Sequence, residues 1–227
     1  MGACYTVPME ILYSDRFLIV CVKPAGVLST DEPGGVPSLA RQALGDERAD
    51  VRTVHRLDRV VGGVMLLARG ADAAAALGRQ VMDGSFQKRY LAVVHGAPEA
   101  GAGTFTDLLR RDRRECRTYV TDTPGKDARE AISDYTLLER AGALSLLRIS
   151  LRTGRTHQIR AQFAHHGLPL VGDRKYGTLA DGETPIALWS HAIAFAHPDT
   201  GAPMAFRLPP PRIDPWTEFS AWEETAP

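Results

Sequence analysis

The sequence predicts an α+β fold: one domain with a central mixed, largely antiparallel β-sheet flanked by short helices and loops. Three observations lead there. Strand-like apolar runs recur along the 227 residues. Short helical segments fall between them without the regular βαβ alternation of a parallel sheet. Two of the runs, Glu130 to Leu138 and Leu144 to Leu151, are separated by a short Gly-containing connection that reads as a hairpin. No internal repeat or linker-like composition interrupts the chain. The domain is expected over 1–227, with a core at about 10–210 and a strap, 211–227, packed outside.

Each element has its own signal. Phe17 to Val22 is a β-branched and aromatic run, and Lys23-Pro24-Ala25-Gly26 ends it as a turn. Pro37-Ser38 to Leu44 predicts a short helix with Ser38 as N-cap and Gly45 just past its end. Gly63 to Ala68 reads as a buried strand. Ala71 to Met82 reads as a helix, with Leu77 and Val81 on one face and Gly84 as its stop. Arg89 to Val94 is a further strand, and Ala97 to Thr104 is a Gly/Pro loop. Thr156 to His166 predicts a helix with Ile159 and Phe163 on one face, closed by Gly167 and Pro169. Ile186 to Phe195 and Pro203 to Leu208 are the last strands, and His197 to Gly201 is the turn between them.

Bulk properties exclude several classes. No apolar run approaches the roughly 20 residues of a membrane helix, and the first ten residues lack the pattern of a secretory signal. Cys4, Cys21 and Cys116 are widely spaced and odd in number, which fits a reducing cytoplasm better than a disulfide framework. Lysines and arginines, 27 together, balance 27 acids. A zero sum by itself counts against a nucleic-acid binder, but the distribution is uneven. Arg148 to Arg160 holds four arginines and no acid, and Arg110 to Arg117 holds five arginines against two acids. The acids gather at Asp46, Glu47 and Asp50 and in the Glu218 to Glu224 tail. The basic stretches are candidate phosphate contacts, or else solvated surface.

Familiar cofactor motifs fail on spacing. Gly101-Ala102-Gly103 lacks a third glycine, Gly125-Lys126 has no glycine five residues ahead, and no Gly-x-Ser-x-Gly is present. The histidines do not pair as metal ligands: on a helix, His157 and His165 would lie roughly 12 Å apart along the axis. No cofactor and no metal is therefore expected. What remains is Asp58, in His55-Arg56-Leu57-Asp58-Arg59, ahead of the apolar run Gly62 to Ala68. A carboxylate between two arginines, where a loop enters a buried strand, suits a nucleophile or general base. Its simpler reading is an ion pair that pins a turn. Gly62-Gly63 lets a substrate or another backbone approach closely, and Arg155 stands at a strand-to-helix junction from which a side chain can be aimed into a cleft.

The His55-Arg56-Leu57-Asp58 string resembles the catalytic motif of the RluA-type pseudouridine synthases. Lys88 to Gly96 resembles that family's tyrosine motif. Leu151 to Arg160, continuing to Gly172-Asp173-Arg174-Lys175-Tyr176-Gly177, is similar to its third motif. Ile11-Leu12-Tyr13, Lys23-Pro24-Ala25-Gly26 and Phe195-Ala196-His197-Pro198 also match, so the likeness spans roughly 10–210. The chain departs from the pattern at Val61-Gly62-Gly63, where many relatives carry Thr-Ser-Gly. It also has no room for the small N-terminal RNA-binding domain of many relatives, which would leave RNA affinity to the catalytic domain.

The resemblance implies the pseudouridine synthase fold and isomerisation of a uridine in structured RNA, rRNA or tRNA, without cofactor. It implies Asp58 as the catalytic carboxylate, acting on the ribose as nucleophile or base, Tyr90 against the uracil, and Arg155 paired with Asp58. A cation within about 4–6 Å would keep a partly buried carboxylate charged. Loss of Arg155 is then expected to damage both folding and activity. His55, Arg56, Arg59, Arg152, Arg160 and Arg174 are the expected RNA contacts. RNA is the expected partner, with no membrane and a monomer as the default. The rival readings are an inactive RNA-binding protein on the same fold and a nucleoside or glycoside hydrolase. The latter class normally needs a second carboxylate about 5–9 Å away, which the motifs do not supply.

Overall fold

A computed structural model describes residues 9–222. Cys4 and the tail beyond Trp222 lie outside the described residues. The α+β class is observed, in two compact units: residues up to Phe86 with Ala194–Phe206, and Gln87–Ile193 with the segment from Arg207 onward.

In the first unit, strands β1 (Ile11–Ser14), β2 (Leu18–Lys23), β3 (Val51–Thr53) and β4 (Gly62–Arg69) pair antiparallel, β2 and β3 each lying on β4. Leu18 to Cys21 and Val64 to Ala68 are fully buried, as continuous apolar runs require. Burial pushes the Cys21 thiol up to about 12, so it is an inert core group. Helix α1 (Val36–Leu44) begins earlier than the sequence predicts. Its N-cap is Gly35, not Ser38, because Pro37 occupies the first turn. A side chain at 35 would strike the carbonyl oxygen of Thr30, 2.1 Å from the Cβ position. Helix α2 (Ala71–Asp83) packs on β4 and ends at Gly84 in the left-handed region, as the sequence predicts.

The second unit is built on β5 (Gln87–His95), β6 (Ala102–Asp112), β7 (Arg117–Val120), β8 (Ala128–Ala141) and β9 (Leu144–Leu151) in the order β5-β9-β8-β6-β7, each neighbour antiparallel. The β8–β9 hairpin turns on only Gly142 and Ala143. The segment 102–120 departs most from expectation. The Gly/Pro loop expected to run to Thr104 gives way to β6 at Ala102, and the 110–117 arginine run, to which the sequence assigns no element, spans the tip of the β6–β7 hairpin. Gly103 is a strand glycine: a Cβ there would lie 2.6 Å from the Tyr135 hydroxyl.

Helix α3 (Gln158–His165) lies in the second unit and starts two residues later than predicted. Strand β10 (Leu188–Ala196) starts in the second unit and ends in the first, and β11 (Pro203–Arg207) follows. Within the described part of the strap, Trp216, Phe219 and Trp222 bury against Leu91, Val93 and Leu146. Each such side chain contributes roughly 1.5–3 kcal/mol.

Candidate active site

Asp58 sits half-buried in the loop between β3 and β4, and that loop is held from three directions. Leu57 and Val61, on either side of it, are buried pegs. Ser29 Oγ donates to the Leu57 carbonyl at 2.8 Å and accepts the Leu57 N–H at 3.1 Å. Val61 N–H donates to the Asp58 carbonyl at 3.0 Å, closing a tight turn. Beneath the turn lies Lys23, fully buried, whose Nζ donates to the carbonyls of Val61 (2.7 Å), Pro24 (3.0 Å) and Arg59 (3.1 Å). Burial pulls the Lys23 ammonium down to about 8, and the nearby Asp58 carboxylate opposes that pull. Lys23 is therefore a cation acting on Asp58 that sequence reasoning passed over. Its only signal was a lysine closing an apolar strand ahead of a proline.

The neighbouring side chains divide by burial. His55 is buried; its Nε2 accepts the Leu66 N–H at 3.0 Å and its ring packs 5.0 Å from Phe86. These contacts tie the loop to β4. Arg56 and Arg59 are exposed, and Arg59 Nε donates to the Gly26 carbonyl at 2.9 Å. Gly63 adopts φ 121°, a conformation nearly closed to other residues, directly opposite Lys23 in the β2–β4 pairing.

In the second unit, Tyr90 is buried on β5, opposite Ile149 of β9. Arg155 lies in the loop between β9 and α3 and is exposed, with Nε donating to the Glu130 carbonyl at 2.8 Å. A chain of amides fixes this loop. Gln158 Oε1 accepts from Thr153 Oγ at 2.8 Å and from the Arg155 N–H at 3.0 Å. Gln158 Nε2 donates to Ser133 Oγ at 2.9 Å, and that hydroxyl donates to Gln162 Oε1 at 2.7 Å. His157 holds the bend at φ 55° with Nδ1 2.8 Å from the Tyr176 hydroxyl. The third motif thus spends most of its polar residues on presenting Arg155.

Arg160 has partners of its own. It is buried, with Nε and Nη2 donating to the two Asp173 oxygens at 2.8 and 2.7 Å, and its guanidinium lies over the Tyr176 ring. Burial raises the Asp173 carboxyl, but the Arg160 hydrogen bonds and charge outweigh it and hold the group below the usual range. The Arg160 fork is thus engaged by a buried carboxylate in a bidentate pair. Arg152 and Arg174 differ: their partners, Asp134 and Glu183, are surface carboxylates in open ion pairs, of a kind worth about 0–1 kcal/mol and easily exchanged.

A family model described as RNA pseudouridylate synthase matches residues 17–165. This chain belongs to the RNA pseudouridylate synthase family. The synthase is 35% identical over 227 residues to "Ribosomal large subunit pseudouridine synthase D" of Xanthomonas campestris pv. campestris, covering 90% of this chain and 67% of that protein. It is 31% identical to the "Uncharacterized RNA pseudouridine synthase YlyB" of Bacillus subtilis, over 89% of this chain and 69% of the relative. In fold, the synthase is similar to human RNA pseudouridylate synthase domain containing 1, with a TM-score of 0.78 at 22% identity over 94% of this chain and 88% of that one. Among the described residues no helix is long and apolar enough to cross a membrane.

Proposed function

We propose that this synthase isomerises a uridine to pseudouridine in structured ribosomal or transfer RNA, with Asp58 as the catalytic carboxylate. The observation that carries the reading is the construction of the Asp58 turn. Buried pegs, a serine and a fully buried lysine fix the backbone turn that carries one half-buried carboxylate. Such preorganisation is costly to build for a surface charge and is what a reacting group requires.

The target nucleotide leaves its stack to reach this carboxylate, at a cost of a few kcal/mol in a helix and less in a loop. Asp58 then attacks the ribose or removes a proton from it, and the uracil–ribose bond breaks at nitrogen. The freed uracil turns and bonds through carbon to the same ribose carbon. That bond either displaces Asp58 from the sugar or is accompanied by return of the ribose proton that Asp58 removed. The proton on that uracil carbon ends on the vacated ring nitrogen, with Tyr90 lying against the base and helping to move it. Arg155 is the proposed guanidinium partner of the Asp58 carboxylate during the reaction. Arg56, Arg59, Arg152 and Arg174 supply exposed charge for the RNA backbone. The similarity to a relative named for the ribosomal large subunit favours rRNA as the first substrate to try.

The test is incubation of the enzyme, and of Asp58→Asn, with unmodified ribosomal and transfer RNA transcripts, followed by pseudouridine mapping at nucleotide resolution. A position modified by the wild type and not by Asp58→Asn is the expected result. An unchanged RNA, or free uracil among the products, would overturn the proposal.

A further inference from the structure

Lys88 and Tyr90 are two residues apart on β5 and so project from the same face of the sheet. Across β9 that face carries Ile149, and beyond β9 the chain enters the loop that presents Arg155. Lys88 reaches that loop: its Nζ is 3.2 Å from the point where a Cβ on Gly154 would stand. A methyl group at 154 would require the ammonium to shift by a few tenths of an ångström, so the lysine tip lies against this loop without a side chain between them.

The surroundings of Lys88 differ from those of the other buried lysine. Lys23 has three carbonyl acceptors for its N–H groups and the Asp58 carboxylate nearby to offset its charge. Among the described residues, Lys88 has no hydrogen-bond or ion-pair partner. It is half-buried nonetheless, and burial alone pulls its ammonium down from the usual lysine range. A charge desolvated without compensation is an unfavourable arrangement for a resting protein. It becomes favourable when an anion arrives, and the anionic group of RNA is the phosphate. A neutral uracil carbonyl would leave the charge uncompensated.

We infer that Lys88 binds a backbone phosphate of the RNA strand immediately beside the nucleotide that meets Tyr90, from its place against the loop at Gly154. The inference rests on the proposed isomerase reading and adds a contact that fixes the register of the strand. Lysine acts there as a compact point charge, so arginine should substitute in part.

The test uses a short synthetic stem-loop built around the uridine that the wild-type enzyme modifies in the mapping experiment. Binding of wild type, Lys88→Met and Lys88→Arg is measured across a salt series, together with the single-turnover rate at saturating enzyme. Lys88→Met should weaken binding about tenfold, lower the salt slope by about one phosphate contact, and change the saturated rate far less. Lys88→Arg should recover much of the affinity. A methylphosphonate placed in turn at each phosphate flanking the uridine should weaken wild type at one position and leave Lys88→Met unaffected there. Equal affinity and salt slope for wild type and Lys88→Met would overturn the inference while leaving the isomerase reading intact. So would a methylphosphonate effect that persists in Lys88→Met. Absence of pseudouridine with the wild type would overturn both. Thermal melts of the three proteins separate misfolding from lost contact, and Gly154→Ala, which keeps the lysine but crowds it, should weaken binding only when Lys88 is present.

Discussion

The Lys23 ammonium donates a 2.7 Å hydrogen bond to the carbonyl oxygen of Val61, three residues after Asp58. Both partners are buried, 38 residues apart in sequence, and the bond fastens the proposed catalytic turn to the end of β2.

Lys23→Met tests that fastening. Methionine has nearly the right volume, so the loss is mainly polar: the Val61 and Pro24 carbonyls lose a donor, and a buried acceptor left unsatisfied costs roughly 1–3 kcal/mol. We expect a loss of at least about 2 kcal/mol in urea unfolding. Pseudouridine formation should fall more than the unfolded fraction explains, because the Asp58 turn loses its floor. A variant as stable and active as wild type would show the lysine to be dispensable.

Arg155→Ala separates structure from chemistry at the other motif. A buried partner of Asp58 would cost roughly 3–5 kcal/mol on removal, and that was the expectation from sequence. Arg155 is exposed and gives its Nε to one backbone carbonyl, so the loss of stability should stay near 1 kcal/mol. Activity should still fall sharply. A melting curve and a single-turnover assay on the same preparation check both halves.

How far the sequence reveals this arrangement depends on what each residue must report. The strands β2 and β4 are legible because both are unbroken apolar runs, and α2 because Gly84 stops it in the conformation that glycine alone adopts freely. The β6 strand is hidden although its burial alternates with period two, since Gly103 exists to clear the Tyr135 ring and Asp107 points inward to Gln162. Both residues argue for loop unless their tertiary partners are known. Asp58 stands out as a lone carboxylate in an odd string. Lys23 and the Arg160–Asp173 pair do not, because burial and pairing across tens of residues leave no local pattern.

Asp173→Asn and Arg152→Ala should part cleanly. The first leaves the Arg160 guanidinium buried beside a neutral amide, and breaking such a pair costs about 3–5 kcal/mol. Affinity for RNA among the molecules that remain folded should keep the wild-type salt slope. Arg152→Ala breaks only an open ion pair with Asp134, so stability should change by under about 1 kcal/mol. Its salt slope should drop by about one contact. A reversed pattern would mark Arg160 as the RNA contact and Arg152 as the structural residue.

Acid should loosen a second tie between distant segments. Asp15 Oδ1 accepts the N–H groups of Phe17 and Leu18 at 2.7 and 2.9 Å, while Oδ2 lies 2.9 Å from both the Tyr13 hydroxyl and His197 Nε2. His197 Nδ1 accepts the Asp199 and Thr200 N–H groups, so its proton sits on Nε2 and is donated to Asp15. Burial works to raise the Asp15 carboxyl, yet these donors outweigh it and hold it at about 2, against 3.8 for the free group. The folded state therefore binds the proton less readily than the unfolded chain does. The stabilisation is complete above pH 4 and is lost as pH falls from there toward 2, by about 2 kcal/mol at most, with solvent at this partly exposed site trimming the figure. Asp15→Asn keeps the shape and removes the titration. Unfolding free energies of the two proteins should differ at pH 6 and converge by about that amount near pH 2, and a constant difference across the range would show that the carboxylate charge contributes nothing here.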